Sequence, residues 1–455
     1  MASPCLSLSL WGLLLLPLLL LCALTLRAAP APRPGEFWHI TDLHLDPSYH
    51  ISRNHTRVCA SSKGKNASNP GLFGDFMCDS PYQLILSALQ YIKDSDQQAS
   101  FMIWTGDSPP HVPVKELSTK IVIDIIGNLT STIRSFLPDL QVFPALGNHD
   151  YWPQDQMPVS ANEVYNAAAN FWRPWLTDEA VNTLRKGGFY TQIFHPNSSA
   201  QPLRIISLNT VLYYSPDNMT LNMTDPANQF EWLENVLETA EQNMEKVYVI
   251  GHVPVGYLPY MRNITAMRKH YNERLIEIFR RHSSVIAGQF FGHTHRDSVM
   301  VLLDEKGKPI NSLFVAPAVT PVKDAWEADT NNPGVRLFQY DPSSYSLLDL
   351  WQFYLNLTEA NMKNESVWKL EYVMTKDYGM EDLMPESLYE MTNRLSAPHS
   401  TLFQKYYYYY FVSYDDPHLF CAKHCKISQL CAIKHLDLSS YIDCIEHEDK
   451  LQHGE

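Results

Sequence analysis

Five times along this chain a short apolar run gives way to a side chain carrying a hard oxygen or an imidazole. The segments are Thr41-Asp42-Leu43-His44, Gly106-Asp107, Gly147-Asn148-His149-Asp150, Gly251-His252 and Gly292-His293-Thr294-His295. This recurrence constrains the fold more than composition does, because strand ends must deliver the same kinds of ligand repeatedly. A glycine precedes the ligand in four of the five, where it lets the backbone turn tightly and approach an ion closely. Asp42 and His44 stand two apart, as do His293 and His295, so extended backbone points each pair to one side.

Asp42, His44, Asp107, Asn148, His252, His293 and His295 make seven oxygen and imidazole ligands, with no thiolate. That is too many for one tetrahedral zinc and suits two ions sharing a bridging carboxylate. A metal pair of this kind clamps both the attacking and the leaving oxygen in phosphoryl transfer. His149, beside Asn148, is placed to point at a substrate oxygen. Asp150 is expected to hold that imidazole in one tautomer.

From residue 36 to about 355 the chain alternates short apolar runs with amphipathic segments. The runs predict strands at Glu36–Thr41, Phe101–Thr105, Gln141–Leu146, Gly188–Phe194, Arg204–Leu208, Lys246–Ile250, Val285–Phe291, Val299–Asp304, Ser312–Ala316 and Gly334–Tyr340. Ile85, Leu86, Leu89 and Ile92 predict a helix over 81–94. Thr224-Asp225-Pro226 opens a second, with a capping residue and a first-turn proline, and 266–282 reads as a third. Such alternation predicts a layered α/β sandwich. Past residue 357 the pattern becomes helical and polar, so the expected partition is a leader over 1–29, a catalytic domain over 36–357 and a Cys-rich subdomain over 358–455. Within the last, Tyr406–Tyr410 reads as a strand packed on both faces, or as a ligand-stacking platform. Tyr257 and Tyr260 are candidates for base stacking or for packing.

Trp11 to Leu26 is nearly all leucine, broken by Pro17 and followed by Ala28 and Ala29. It is short for a span and reads as an export leader, which predicts a secreted, extracellular or lysosomal protein without a stable membrane anchor. Six cysteines remain beyond the leader: Cys59, Cys78, Cys421, Cys425, Cys431 and Cys444. Local pairing predicts Cys59–Cys78, then Cys421–Cys425 and Cys431–Cys444, with zinc binding by the last four as the rival. Glycosylation sequons stand at Asn54, Asn66, Asn128, Asn197, Asn218, Asn222, Asn263, Asn356 and Asn364. A net charge of −14 argues against polymeric nucleic acid as partner, while a small nucleotide held by cations fits. The chain is expected to act as a monomer.

The order Asp-x-His, Gly-Asp, Gly-Asn-His-Asp, Gly-His, Gly-His-x-His resembles the calcineurin-type metallophosphoesterase superfamily. His39-Ile-Thr-Asp-Leu-His-Leu-Asp46, Trp104-Thr-Gly-Asp-Ser-Pro-Pro-His111 and Gly288-Gln-Phe-Phe-Gly-His-Thr-His295 are similar to acid sphingomyelinase-like phosphodiesterases of the 3a type. The resemblance implies a central two-sheet β-sandwich flanked by helices, with a smaller, mostly helical, disulfide-stapled C-terminal part. It implies two zinc ions per chain, one held by Asp42, His44, Asp107 and His295, the other by Asp107, Asn148, His252 and His293. His149 is carried over as general acid and His111 as the second catalytic imidazole. The implied reaction is attack of a metal-bridging hydroxide on a phosphodiester or phosphoanhydride. Purple acid phosphatases place a tyrosine ligand where this chain has Pro110, which favours zinc over iron. Acid sphingomyelinase carries a saposin domain before its catalytic core, whereas here the first strand follows the leader. Soluble nucleotides are therefore the expected substrates: nucleoside triphosphates, nucleotide-cholines or cyclic dinucleotides. A sphingomyelin phosphodiesterase, and a secreted glycoprotein ligand with a structural metal site, are the alternatives.

Overall fold

The computed structural model describes residues 1, 33–95, 97–196, 201–323, 330–398, 400–416 and 419–453. The expected leader beyond Met1 and the Asn197 sequon lie outside them. Twelve strands form among the described residues: β1 Gly35–Ile40, β2 Phe101–Trp104, β3 Gln141–Pro144, β4 Tyr190–Phe194, β5 Leu203–Ser207, β6 Lys246–Ile250, β7 Ile286–Phe291, β8 Ser298–Leu303, β9 Pro309–Val315, β10 Gly334–Tyr340, β11 Leu347–Leu355 and β12 Trp368–Val373. The ten expected strands are all present, each within three residues of its expected bounds. They make two six-stranded sheets, ordered β12-β11-β10-β1-β2-β3 and β4-β5-β6-β7-β9-β8.

What positions the ligands is the run of parallel neighbours. β1, β2 and β3 are parallel and in register at Ile40, Trp104 and Pro144. β6 and β7 are parallel in the other sheet, with Ile250 opposite Phe290. Parallel strands end on the same side, so all five ligand segments leave from one edge of the sandwich, where α/β folds keep their clefts. Alternation along β1 divides the two layers. Phe37 faces the other sheet, with Tyr248 and Phe290 at ring-centroid distances of 5.6 and 5.3 Å. Trp38 turns outward to Tyr91 on the helix Tyr82–Asp94 and to Phe353 on β11. Phe37 is fully buried, and trimming such a ring to alanine costs about 3–5 kcal/mol.

Three sequence readings need correction. β11 and β12 were not among the expected strands. β12 lies at the sheet edge with polar Lys369 and Glu371 in its run, so its alternation is hard to read. Tyr406–Tyr410 is helical, the end of Thr401–Tyr410, with Ser400 accepting from the Phe403 N–H as its cap. Phe403, Tyr406 and Tyr410 are its buried face at helical spacing, so packing on one side overrides aromatic β-propensity. The second helix begins late. Pro226–Asn228 is a 3-10 turn with Ala227 and Asn228 in left-handed backbone, and Asp225 caps Gln229–Gln242 by accepting from the N–H groups of Phe230 and Glu231.

The cysteines pair as expected, Cys59–Cys78, Cys421–Cys425 and Cys431–Cys444. The C-terminal helices His424–Lys434 and Pro385–Ser396 pack on β8 and β9. Among the described residues no helix is long and apolar enough to cross a membrane.

Candidate metal centre

Backbone hydrogen bonds lace the ligand loops together. Asp42 N–H donates to the Gly106 carbonyl, His44 N–H to that of Asp107 and Gly292 N–H to that of His252. Five of the seven expected ligands, Asp42, His44, Asp107, His293 and His295, sit in left-handed backbone with φ between +38° and +75°, so neither i, i+2 pair is delivered by the extended backbone expected of it. Each such residue costs on the order of 1–3 kcal/mol and persists where its surroundings over-determine it. The glycines make the approach possible. A Cβ on Gly147 would stand 2.1 Å from Asp107 Oδ1, and one on Gly292 would stand 2.3 Å from Thr41 Oγ1.

All seven expected ligands converge. Asp42, His44 and His295 form one set and Asp107, His252 and His293 another, each with ligand atoms within 4.8 Å of one another. Asp107 Oδ2 lies between them, 3.4 Å from His44 Nε2 and 3.1 Å from His252 Nε2. Its other oxygen accepts from the His149 N–H. Asn148 Oδ1 stands 3.0 Å from both His252 Nε2 and His293 Nδ1.

The donors fit divalent cations. His44 Nε2 and His295 Nε2 face each other at 3.2 Å, and Asp42 Oδ1 is buried without a hydrogen-bond partner. Asp42 Oδ2 is already taken by Thr41 Oγ1 and the His293 N–H. His44 Nδ1 meets the Pro109 carbonyl and His252 Nδ1 the Thr105 carbonyl, both at 2.7 Å, which turns each Nε2 lone pair inward. Burial opposes charge on His44 and His252, but the carboxylates of Asp107 and Asp42 beside them push both up to about 9. Burial also opposes charge on Asp107, yet the surrounding imidazoles, His252 foremost, hold its carboxyl below the usual range. A metal ion relieves this crowding of lone pairs and carboxylates.

His111 and His149 stand at the mouth, their rings 4.1 and 4.8 Å from that of His44. Burial holds both below the ordinary histidine range, His149 further, with His111 beside it adding to the shift. Asp150 does not orient His149. Its carboxylate accepts from the N–H groups of Asp107, Ser108 and Gly147, so it clasps two ligand loops together. Three unclaimed backbone donors outcompete a neighbouring imidazole.

The support for His111 comes from a residue that sequence reading missed. Asp79, fully buried, accepts from the His111 N–H at 2.6 Å and lies 3.0 Å from its Nδ1. Ser61 Oγ and Thr320 Oγ1 hold Asp79 in turn. Asp155 was missed too; it accepts from Asn148 Nδ2 and so aims Oδ1 at the imidazoles. Neither follows a strand, and the only trace of Asp79 in the sequence is its place beside Cys78. Tyr257 is a packing residue, stacked on Tyr441 at 3.7 Å, and Tyr260 is half-buried against the core.

Residues 35–297 match the family profile described as calcineurin-like phosphoesterase. Residues 308–451 match the acid sphingomyelin phosphodiesterase C-terminal region. The chain is 67% identical to the human protein named cyclic GMP-AMP phosphodiesterase SMPDL3A, over 92% of this chain and 91% of that one. It is 40% identical to human acid sphingomyelinase-like phosphodiesterase 3b, over 90% of each.

Proposed function

The chain belongs to the calcineurin-like phosphoesterases, in the acid sphingomyelinase-like branch, and from this premise we propose that it is a secreted enzyme holding two zinc ions and hydrolysing soluble nucleotides, with cyclic GMP-AMP as first substrate. That it is a divalent-metal phosphodiesterase follows from family and donor set together. The further reading rests on one observation: a single carboxylate oxygen, Asp107 Oδ2, shared between two complete donor sets beneath two imidazoles. Asp42, His44, Asp107 and His295 would hold one ion and Asp107, Asn148, His252 and His293 the other. Bound there, they would supply Lewis acidity at phosphorus and a hydroxide at mild pH. His149 and His111 would carry the proton for the leaving oxygen, with Asp79 fixing the ring of His111. Burial holds both imidazoles below the ordinary range, so their proton-bearing form gains population as pH falls, and activity should rise from neutral towards acid pH. Export is supported by the three disulfides. Asn54, Asn66, Asn128, Asn218, Asn222, Asn263 and Asn364 are exposed and Asn356 half-buried, as glycan acceptors require.

The test combines metal counting on the purified protein with turnover of cyclic GMP-AMP, a nucleoside triphosphate and sphingomyelin vesicles at about pH 5 and pH 7. Two zinc ions per chain and nucleotide cleavage that His149→Ala abolishes, with zinc retained, are expected. Vesicle cleavage without nucleotide turnover would move the substrate to the lipid, and a His149→Ala protein lacking zinc would remove its proton-carrying role.

A further inference from the structure

The two mouth imidazoles are better equipped than a proton carrier requires. The rings of His111 and His149 lie 4.2 Å apart, and nitrogens of His44, His111 and His149 all fall within 4.8 Å of one another. His44 Nε2 faces inward to Asp107 and His295, which leaves the other two as a pair. Asp79 grips His111 Nδ1, the carboxylate–imidazole arrangement that orients metal-binding histidines, and leaves Nε2 bare. His111 is 26% exposed, so an ion can reach it from solvent. His149 is 3% exposed, and its Nδ1 is buried without a partner. Its Nε2 meets the Gln154 amide at 3.0 Å.

We propose that His111 and His149 form a third divalent-cation site, filled by excess zinc, which inhibits the enzyme. The inference rests on the two-ion reading above. An imidazole nitrogen cannot hold a cation and a proton at once, so an ion there removes both candidate proton carriers. It also occupies the space in which the leaving oxygen must sit, so inhibition is competitive with substrate. Asp79 sets its strength by holding His111 through Nδ1, which leaves Nε2 as the coordinating nitrogen.

Zinc titration of the two-ion protein, followed by equilibrium dialysis and by zinc-edge diffraction, tests this. A third, weaker ion is expected between His111 and His149, with the apparent KM rising as it binds. His149→Asn and Asp79→Asn should each weaken it by about tenfold or more while the first two ions stay. Exposed His50→Ala should leave it unchanged. Fewer than two ions in the parent protein would overturn the two-ion reading itself. Two ions with no third at millimolar zinc, or a third unaffected by either site variant, would overturn this proposal alone.

Discussion

Two regions feed the same cleft by different physical means. The strand-end loops are short, strained and fixed by the core beneath them, and they carry every expected metal ligand. The loop from Asp46 to Ser80 is a long excursion that leaves and returns beside His44, through Asp46 N–H to the Ser80 carbonyl and Ser80 N–H to that of His44. It has no strand and packs its own small cluster of Val58, Cys59, Ala67 and Cys78, closed by the Cys59–Cys78 disulfide. It places no metal ligand, only Asp79 behind His111. The difference teaches where precision is needed: the candidate metal donors sit at the ends of the sheets, and the carboxylate that fixes His111 sits on a separately stapled loop.

The comparison breaks most sharply at Gly147. Its Cβ would collide with the Asp107 carboxylate, so Gly147→Ala should cost about 100-fold or more in kcat with metal content reduced. Full metal loading and normal turnover would show the strand-end loops to be more pliable than the sheet beneath implies. Asp79→Asn touches only the other region. It should lower kcat about tenfold while bound metal is retained, and loss of metal would erase the distinction.

Replacing Cys59 and Cys78 together with serine should lower stability by about 3 kcal/mol, through freedom regained in the unfolded chain. Asp79 remains held by Ser61 and Thr320, so kcat should fall less than in Asp79→Asn. A larger fall, measured beside chemical denaturation, would make the staple part of the active site. The smallest effect is a proton count. His44 and His252 are pushed up to about 9 without metal, so loading at about pH 7.5 should expel about two protons per chain. Release should fade as pH rises through about 9, where both are already neutral. The same sign holds for the metal-free fold: stabilisation from these two histidines is complete below about 6.5 and lost through about 9. Calorimetry in buffers of different protonation enthalpy reads this directly, and no buffer dependence would refute it.

The ten strands and the seven candidate ligands that converge were legible because each of these side chains follows an apolar run, and period-2 burial leaves a local trace. β12 was not, since an edge strand buries little and alternates with charge. Tyr406–Tyr410 misled because five like residues carry no periodicity of their own; the buried face appears only when Phe403 is counted with them. Asp150 was rightly singled out and wrongly assigned, because neighbours in sequence need not face each other.

By itself, then, the sequence determined the class of fold and the class of reaction, and it singled out the candidate donors, because these depend on residue type and short spacing. Only the tertiary structure decided which carboxylate serves which imidazole: Asp79 for His111, Asp150 for the loop backbone, Asp107 Oδ2 for both donor sets. Those pairings span tens of residues and turn on tenths of an ångström. Hydrogen-bond strength depends on distance and direction, and neither is written in the order of the chain.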